Sequence, residues 1–498
     1  MAAKRISSLD LALQDRPISV ALSRWLYNEF RRAILDRRLS PGTRLPATRD
    51  LARQYGISRG TVVAVFEQLE AEGYLLGRPG AGTHVNALPS RNASAKAGPL
   101  PKTRTLPAAL RGLPHASPAR PFRPYQPALA EFPMDVWARV AGRGLRRAST
   151  SLLAEADPRG YAPLREAIAA YLGSSRGVNC SPDQIMVVSG VQQGLDLVAR
   201  ALVKPGSSVW IEDPGYFGAT AAFRNAGAKI IPVPLDDRGL DIVAARKLSG
   251  GAKAAYVTPT HQFPLGMSMP VERRLSLLSW AYEAGAFVIE DDYDSEYRLE
   301  GRPIPALQGL DKKGSVIFLG SFNKVLFPGL RLGYIVLPAR VLDPVLALRV
   351  SVDSYPPALI QATLCDFMTE GHLGRHIRKM RELYANRLGA LQDAAGRYLA
   401  GLLDISPVRA GLSTVGFLRN GMSSLKAERA AAENGIEVLG LHRFALQAKG
   451  IEGLLMGFAA FGEREISQAI VSLAALLERR AKLDLALRVS RSQLTDCP

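Results

Sequence analysis

Apolar residues change their spacing along this chain, and each spacing predicts a different kind of element. Over residues 23–38, Leu26, Phe30 and Ile34 share one face of a predicted amphipathic helix. A second helix follows the turn Arg44-Leu45-Pro46-Ala47-Thr48 and continues through Arg49-Asp50-Leu51-Ala52-Arg53-Gln54-Tyr55 to Gly56, a helix-ending glycine. A third opens on Ser58 as its N-cap and carries Val62, Val65, Phe66 and Leu69 at helical spacing, which leaves Arg59, Gly60, Thr61, Val63 and Ala64 facing outward. Residues 73–85 then read as two short strands joined by a glycine-rich tip.

Farther along, the pattern shifts to short, wholly apolar runs. Those at 185–188, 208–211, 229–233, 255–257, 286–290 and 315–319 predict buried strands, and helical patterns such as 164–172 and 271–284 separate most of them. Alternation of this kind predicts an α/β fold with a mainly parallel sheet covered on both faces. From about residue 339 the pattern is helix-rich with a few strands, as in a smaller α+β subdomain. Between the two regions, residues 86–120 hold six prolines, six Lys/Arg and no Asp/Glu, without apolar periodicity. That composition makes an extended linker, a spacer that also has the charge to meet phosphate. The expected division is therefore 1–85, a linker at 86–120, an α/β unit at 121–485 (large part about 150–340, small part about 341–485) and a tail at 486–498.

Composition narrows the function. With 498 residues the chain exceeds one ordinary core, and 47% hydrophobic with 22% charged residues describes a globular protein. No apolar run approaches the ~20 residues of a membrane span, and the first residues lack the apolar segment of a signal peptide. Cys180, Cys365 and Cys497 show neither metal nor disulfide spacing, which suits a reducing cytoplasm; no metal site and no membrane partner are expected. The net charge of +18 points to a polyanion partner.

The first three helices supply the means. Two helices joined through Gly56-Ile57-Ser58, the second with a small, arginine-bearing start, form a helix-turn-helix whose recognition helix would enter the major groove. In the ribbon that follows, Gly80 and Gly82 permit close approach of backbone to phosphate and Arg78 adds charge. The segments 45–52, 58–62 and 73–85 together resemble the GntR-type winged helix-turn-helix. The resemblance implies contacts to a double-stranded operator from Arg44, Arg49, Ser58, Arg59 and Thr61, with the wing (Arg78, Gly80, Gly82) reaching the minor groove. Arg38 and Arg53 read equally well as solvated helix charges.

Candidate chemistry lies at the strand ends. Lys324 follows the run 316–319 in a small polar turn, and the run 287–289 ends in Glu290-Asp291-Asp292-Tyr293-Asp294. A lysine and an acidic, phenolic cluster at two strand ends suit pyridoxal phosphate, which needs an amine for its aldehyde and a carboxylate for its ring nitrogen. Strand 185–188 runs into Ser189-Gly190-Val191-Gln192, where backbone amides at a helix start make a phosphate cradle.

In order and spacing, residues 120–480 resemble the fold-type I (aspartate aminotransferase-like) pyridoxal-phosphate enzymes, and more closely the aminotransferase-like half of MocR/GabR regulators. The likeness runs through 258–264, 290–296 and 327–334. It implies that Lys324 forms the Schiff base with the cofactor, Asp291 pairs with the pyridinium nitrogen, Tyr293 donates to the phenolate oxygen and Tyr216 stacks on the ring. Ser321 and Arg331 would bind phosphate with the amides of Gly190, Val191 and Gln192. His261 and Gln262 lie where aminotransferases place a cofactor-contacting asparagine; one of them is expected near the ring, and a purely structural histidine is the alternative. Three positions depart from the pattern: Asn323 precedes the lysine, Leu265 follows Phe263-Pro264, and Leu455 stands where aminotransferases carry a carboxylate-gripping arginine. Arg443 is the candidate substitute.

The resemblance implies a DNA-binding regulator that senses pyridoxal phosphate or an amino compound, and a head-to-tail homodimer in which each DNA-binding unit packs on its partner's large domain. A working aminotransferase with an appended DNA-binding domain, and a regulator that keeps the fold without the cofactor, are the alternatives.

Overall fold

The computed structural model describes residues 20–78, 82–87, 119–154, 156–301 and 304–495. Contacts divide the chain into two compact units, residues 1–116 and 117–498. In the first, α1 (Leu22–Leu35), α2 (Thr48–Gln54) and α3 (Arg59–Ala71) precede the antiparallel ribbon of β1 (Leu75–Arg78) and β2 (Gly82–Val85). The predicted apolar stripes form its core: Leu26, Phe30, Leu51, Val62, Val65, Phe66 and Leu69 are buried, and Phe30 meets Phe66 edge-on at 5.6 Å. The first helix ends earlier than its stripe predicts, because Arg37 takes a left-handed conformation (φ 58°) and the Leu39 amide returns to the Ala33 carbonyl.

In the second unit, eight strands form one sheet in the order β3-β10-β9-β8-β7-β4-β5-β6. They are β3 (Ile185–Val188), β4 (Ser208–Asp213), β5 (Lys229–Asp236), β6 (Gly239–Leu240), β7 (Ala254–Val257), β8 (Phe287–Asp292), β9 (Val316–Ser321) and β10 (Gly333–Val336). Strands β5, β4, β7, β8 and β9 run parallel, while β10 is antiparallel to both β9 and β3. Each predicted apolar run is a strand; β10 and β6 are additions. Wholly buried runs such as Ile185–Val188 and Ala254–Val257 are what a sheet covered on both faces requires. Trp210 and Trp280 stack at 3.8 Å on one side of it. Because β3, β4, β8 and β9 point the same way, their C-terminal ends share one edge, the usual ligand-binding edge of such a sheet.

The smaller part has a four-stranded antiparallel sheet in the order β11-β12-β14-β13, made of β11 (Leu403–Ile405), β12 (Ser413–Leu418), β13 (Leu439–Gly440) and β14 (Gly453–Gly457). Helices His372–Tyr398 and Glu463–Thr495 pack against each other beside it. Its core also takes in Phe122, Ala128 and Tyr297 from earlier in the chain. The last helix continues through most of the residues assigned to a tail. Among the described residues, no helix is long and apolar enough to cross a membrane.

Candidate functional site

In the first unit, the Ser58 hydroxyl accepts the Thr61 amide at 3.1 Å, capping α3 as predicted, and lies 2.8 Å from the Thr61 hydroxyl. Arg44, Arg49, Arg59 and Arg78 are exposed. Arg44 pairs with His84 in an antiparallel bridge, and its guanidinium lies against Gly82. A side chain at Gly82 would come within 3.1 Å of Arg44 Nε, and its φ of +88° disfavours one in any case. Gly80 lies outside the described residues, as do residues 88–118 of the linker.

In the second unit, Lys324 follows β9 and donates from Nζ to the Tyr125 carbonyl at 2.8 Å, with the Tyr125 ring 4.9 Å from the amine. Burial lowers its pKa to about 8, so a fraction of the amine is neutral near physiological pH and able to act as a nucleophile. Asp291, near the end of β8, is buried, and its Oδ2 accepts the Tyr256 hydroxyl at 2.6 Å. Its Oδ1 is buried with no partner. Burial raises this carboxyl to about 7. Such a group lacks a cation, and a protonated ring nitrogen would supply one.

Around Asp291 the buried groups are mostly acidic. Glu212 accepts Thr258 Oγ1 at 2.7 Å and Gln262 Nε2 at 3.2 Å, while its other oxygen is unpartnered and burial raises it to about 7. Asp294 lies 3.0 Å from His261 Nδ1, which in turn is 3.0 Å from the Tyr293 hydroxyl. Burial, and then Asp294, push the Tyr293 phenol well above its usual range, so it is a hydrogen-bond donor at any physiological pH. These contacts separate the two candidates at 261 and 262. Gln262 spends its amide on Glu212 and Pro214 at the end of β4 and on Phe263 and Leu265 in its own turn, whereas His261 stacks near Tyr293 with ring centres 5.8 Å apart. Two cis X-Pro bonds, Asp213-Pro214 and Phe263-Pro264, lie in the turns on this side.

On the other side is the predicted anion cradle. Gly190, with φ of 109°, caps the helix Val191–Leu202 without a side chain. A side chain there would stand 3.4 Å from Asn323 Nδ2 and 3.9 Å from the Arg331 guanidinium, so the three positions converge. Arg331 itself is in a left-handed conformation (φ 53°). Ser321 ends β9 and accepts the Asn323 amide at 3.2 Å; Asn323 Oδ1 accepts the Leu332 amide at 3.2 Å. Gln192 holds the Gly218 carbonyl at 3.0 Å and receives the Tyr216 hydroxyl at 3.3 Å. A helix start beside an arginine offers an anion backbone amides and a positive charge.

The wall beside Tyr125, whose ring faces Lys324, is apolar. Phe263, Val415, Leu441, Phe444 and Leu455 form a buried cluster, with Tyr125, Tyr216, Leu265, Tyr293 and Ile451 packed on it. Phe263 contacts Tyr125 and Phe444 at 5.2 Å each. Arg443, the predicted substitute for a carboxylate grip, is not available for that role: its Nε donates to Glu428 at 2.7 Å. Beside this wall, Asp213 at the end of β4 accepts the amides of Leu446, Gln447 and Ala448, and the Gly215 amide donates to the Phe444 carbonyl.

Three contributors escaped the sequence reading. Tyr256 sits mid-run in β7, where a tyrosine reads as core. Tyr125 follows the proline-rich linker, where no periodicity marks it. The role of Phe263 in the wall was hidden behind the histidine and glutamine before it; its place in the Phe-Pro turn was the available signal.

Comparison with known proteins agrees with this division. Residues 22–85 match the family of bacterial regulatory proteins of the gntR type, and residues 126–407 match aminotransferase class I and II. The probable rhizopine catabolism regulatory protein MocR of Rhizobium meliloti is 39% identical over 92% of this chain and 94% of its own. The pyridoxine biosynthesis transcriptional regulator PdxR of Corynebacterium glutamicum is 30% identical over 94% of this chain and 98% of its own. Among solved structures, the kynurenine aminotransferase of Pyrococcus horikoshii, in complex with PMP, superposes with a TM-score of 0.68 at 28% identity, covering 73% of this chain and 92% of that one.

Proposed function

Since the chain belongs to the MocR-type regulators, which join a gntR-family helix-turn-helix to an aminotransferase class I and II domain, we propose that it regulates transcription in response to pyridoxal phosphate or to an amino compound that reacts with it. The observation that carries this reading is the unpartnered, buried Oδ1 of Asp291, in the same site as the Lys324 amine and in the same chain as a capped recognition helix. The donor set fits the cofactor. Lys324 would hold its aldehyde carbon, Asp291 its ring nitrogen and Tyr293 its phenolate oxygen. Gly190, Val191, Gln192, Ser321 and Arg331 would take its phosphate, and Tyr216 its ring face. When bound, the cofactor supplies an electrophilic carbon and an electron sink to amines.

The chain's own residues would do the rest. Asp291 would keep the ring nitrogen protonated, Tyr293 would donate to the phenolate oxygen while His261 and Asp294 held the phenol in place, and the apolar wall would exclude water. An effector amine that took the place of Lys324 on the cofactor would free the lysine and so remove a tether, and it would shift the DNA-bound population only through unequal affinity for the two states. Arg44, Arg49, Arg59, Thr61 and the wing would contact an operator, with a head-to-tail homodimer presenting two such units. The intact lysine, carboxylate and anion cradle also favour a second reading, a working aminotransferase.

Footprinting on the DNA upstream of the chain's own gene, with and without pyridoxal phosphate or amines, tests the proposal. A sequence-specific footprint that changes with the ligand is expected. Absence of any specific footprint, with sustained turnover of an amino donor and a keto acceptor, would replace the regulator with the enzyme.

A further inference from the structure

We infer that the space over Lys324 is built for a primary amine whose remaining body is uncharged and apolar, of the arylalkylamine class, and that it disfavours the corresponding α-amino acid. This rests on the reading that Lys324 carries pyridoxal phosphate, and adds to it the chemical class of the effector.

The first support is the wall. Phe263, Phe444 and Leu455 are buried, with Leu265 and Ile451 against them and Tyr125 5.2 Å from Phe263. These side chains offer dispersion contacts and ring edges to an apolar or aromatic body, and none of them offers a charge.

The second is the charge around it. Glu212, Asp291 and Asp294 are buried carboxylates: Glu212 accepts Gln262 beside Phe263, and Asp294 lies 3.0 Å from His261, which meets the Tyr293 hydroxyl. Glu212 and Asp291 each keep one oxygen without a partner. None of the wall's residues is a cation, and Arg443 and Arg123 are paired, Arg443 with Glu428 at 2.7 Å and Arg123 with Glu437 at 2.8 Å. A carboxylate brought to the wall would lose its water among apolar side chains that offer it no guanidinium. An ammonium would enter a complementary field.

The third is Tyr125. Its ring already lies 4.9 Å from the Lys324 ammonium, a face suited to a cation, and its hydroxyl is buried without a partner. The same face would receive the nitrogen of an incoming amine.

Isothermal titration of the full-length, cofactor-loaded protein with 2-phenylethylamine, L-phenylalanine and 3-phenylpropionate provides the test, since the three share one body and differ in amine and carboxylate. The amine is expected to bind at least about tenfold more tightly than the amino acid, as the loss of a good charge complement requires, and the acid not at all. Leu455→Arg should shrink or reverse that preference, with Leu455→Met as the packing control. Equal or tighter binding of L-phenylalanine, or no heat from the amine, overturns the inference even if Leu455→Arg fails to fold. The visible band of the loaded protein is recorded first. A protein that shows no band refutes the cofactor reading and the inference with it, whereas a band with reversed preference refutes the inference alone.

Discussion

Asp291→Asn should have opposite effects on the empty and the loaded protein. The carboxyl is moved from 3.8 to about 7 by burial, so the folded chain holds its proton more tightly than the unfolded chain does. A raised folded-state pKa gives stability that is greatest below the unfolded value and is lost as pH rises through the folded one. At 1.36 kcal/mol per pKa unit, the raised pKa of Asp291 costs the empty protein about 2 kcal/mol at pH 5 and about 4 kcal/mol at pH 8. Asparagine removes this dependence and still accepts the Tyr256 hydroxyl. The cofactor-free variant should therefore gain about 2 kcal/mol more over wild type at pH 8 than at pH 5. Loaded with pyridoxal phosphate, the variant loses a charge-assisted bond to the ring nitrogen, worth about 1.5–3 kcal/mol, and the cofactor Kd should rise about 10- to 150-fold. Denaturant unfolding of cofactor-free protein at the two pH values, together with absorbance titration of the cofactor, measures both. Cofactor affinity unchanged within about threefold, or a stability difference that does not grow with pH, would refute the account of Asp291.

Lys324→Ala should abolish the visible absorption band of the loaded protein while leaving the far-UV circular dichroism intact; a persisting band would remove Lys324 from its role. Ser58→Ala deletes the cap on α3 and should cost about 1 kcal/mol of first-unit stability, read by thermal melting, with weaker operator binding. Arg59→Ala should weaken DNA binding and reduce the salt slope of log K by about 1, measured by fluorescence anisotropy across salt concentrations. Gly411→Ala places a carbon 2.4 Å from His261 Cε1 and 2.5 Å from Asp294 Oδ2 at a φ of +91°, so it should destabilise the protein and disturb Tyr293, seen as a shifted cofactor spectrum.

What was legible in the sequence was what local spacing controls. The stripe of Val62, Val65, Phe66 and Leu69 locates α3, and the apolar runs locate the parallel strands, because burial on one face or both dictates those patterns. The ends of those runs also locate Asp291, Ser321 and Lys324, since a sheet of this topology gathers strand ends at one edge. Contacts across long separations were not legible. The Tyr125 carbonyl meets Lys324 at a separation of 199 residues, and no spacing encodes that. Arg443 looked like a free cation until the fold brought Glu428 beside it. Strand β10 was hidden because its first two residues, Gly333 and Tyr334, close the arginine-bearing motif 327–334.

The Asp213 carboxylate at the end of β4 collects three amides from residues 446–448, and next to them the Gly215 amide donates to the Phe444 carbonyl. These bonds fasten a strand end of the large sheet to the segment between β13 and β14 of the small part. A change at Asp213, which is no member of the apolar wall, would therefore be felt at Phe444, which is.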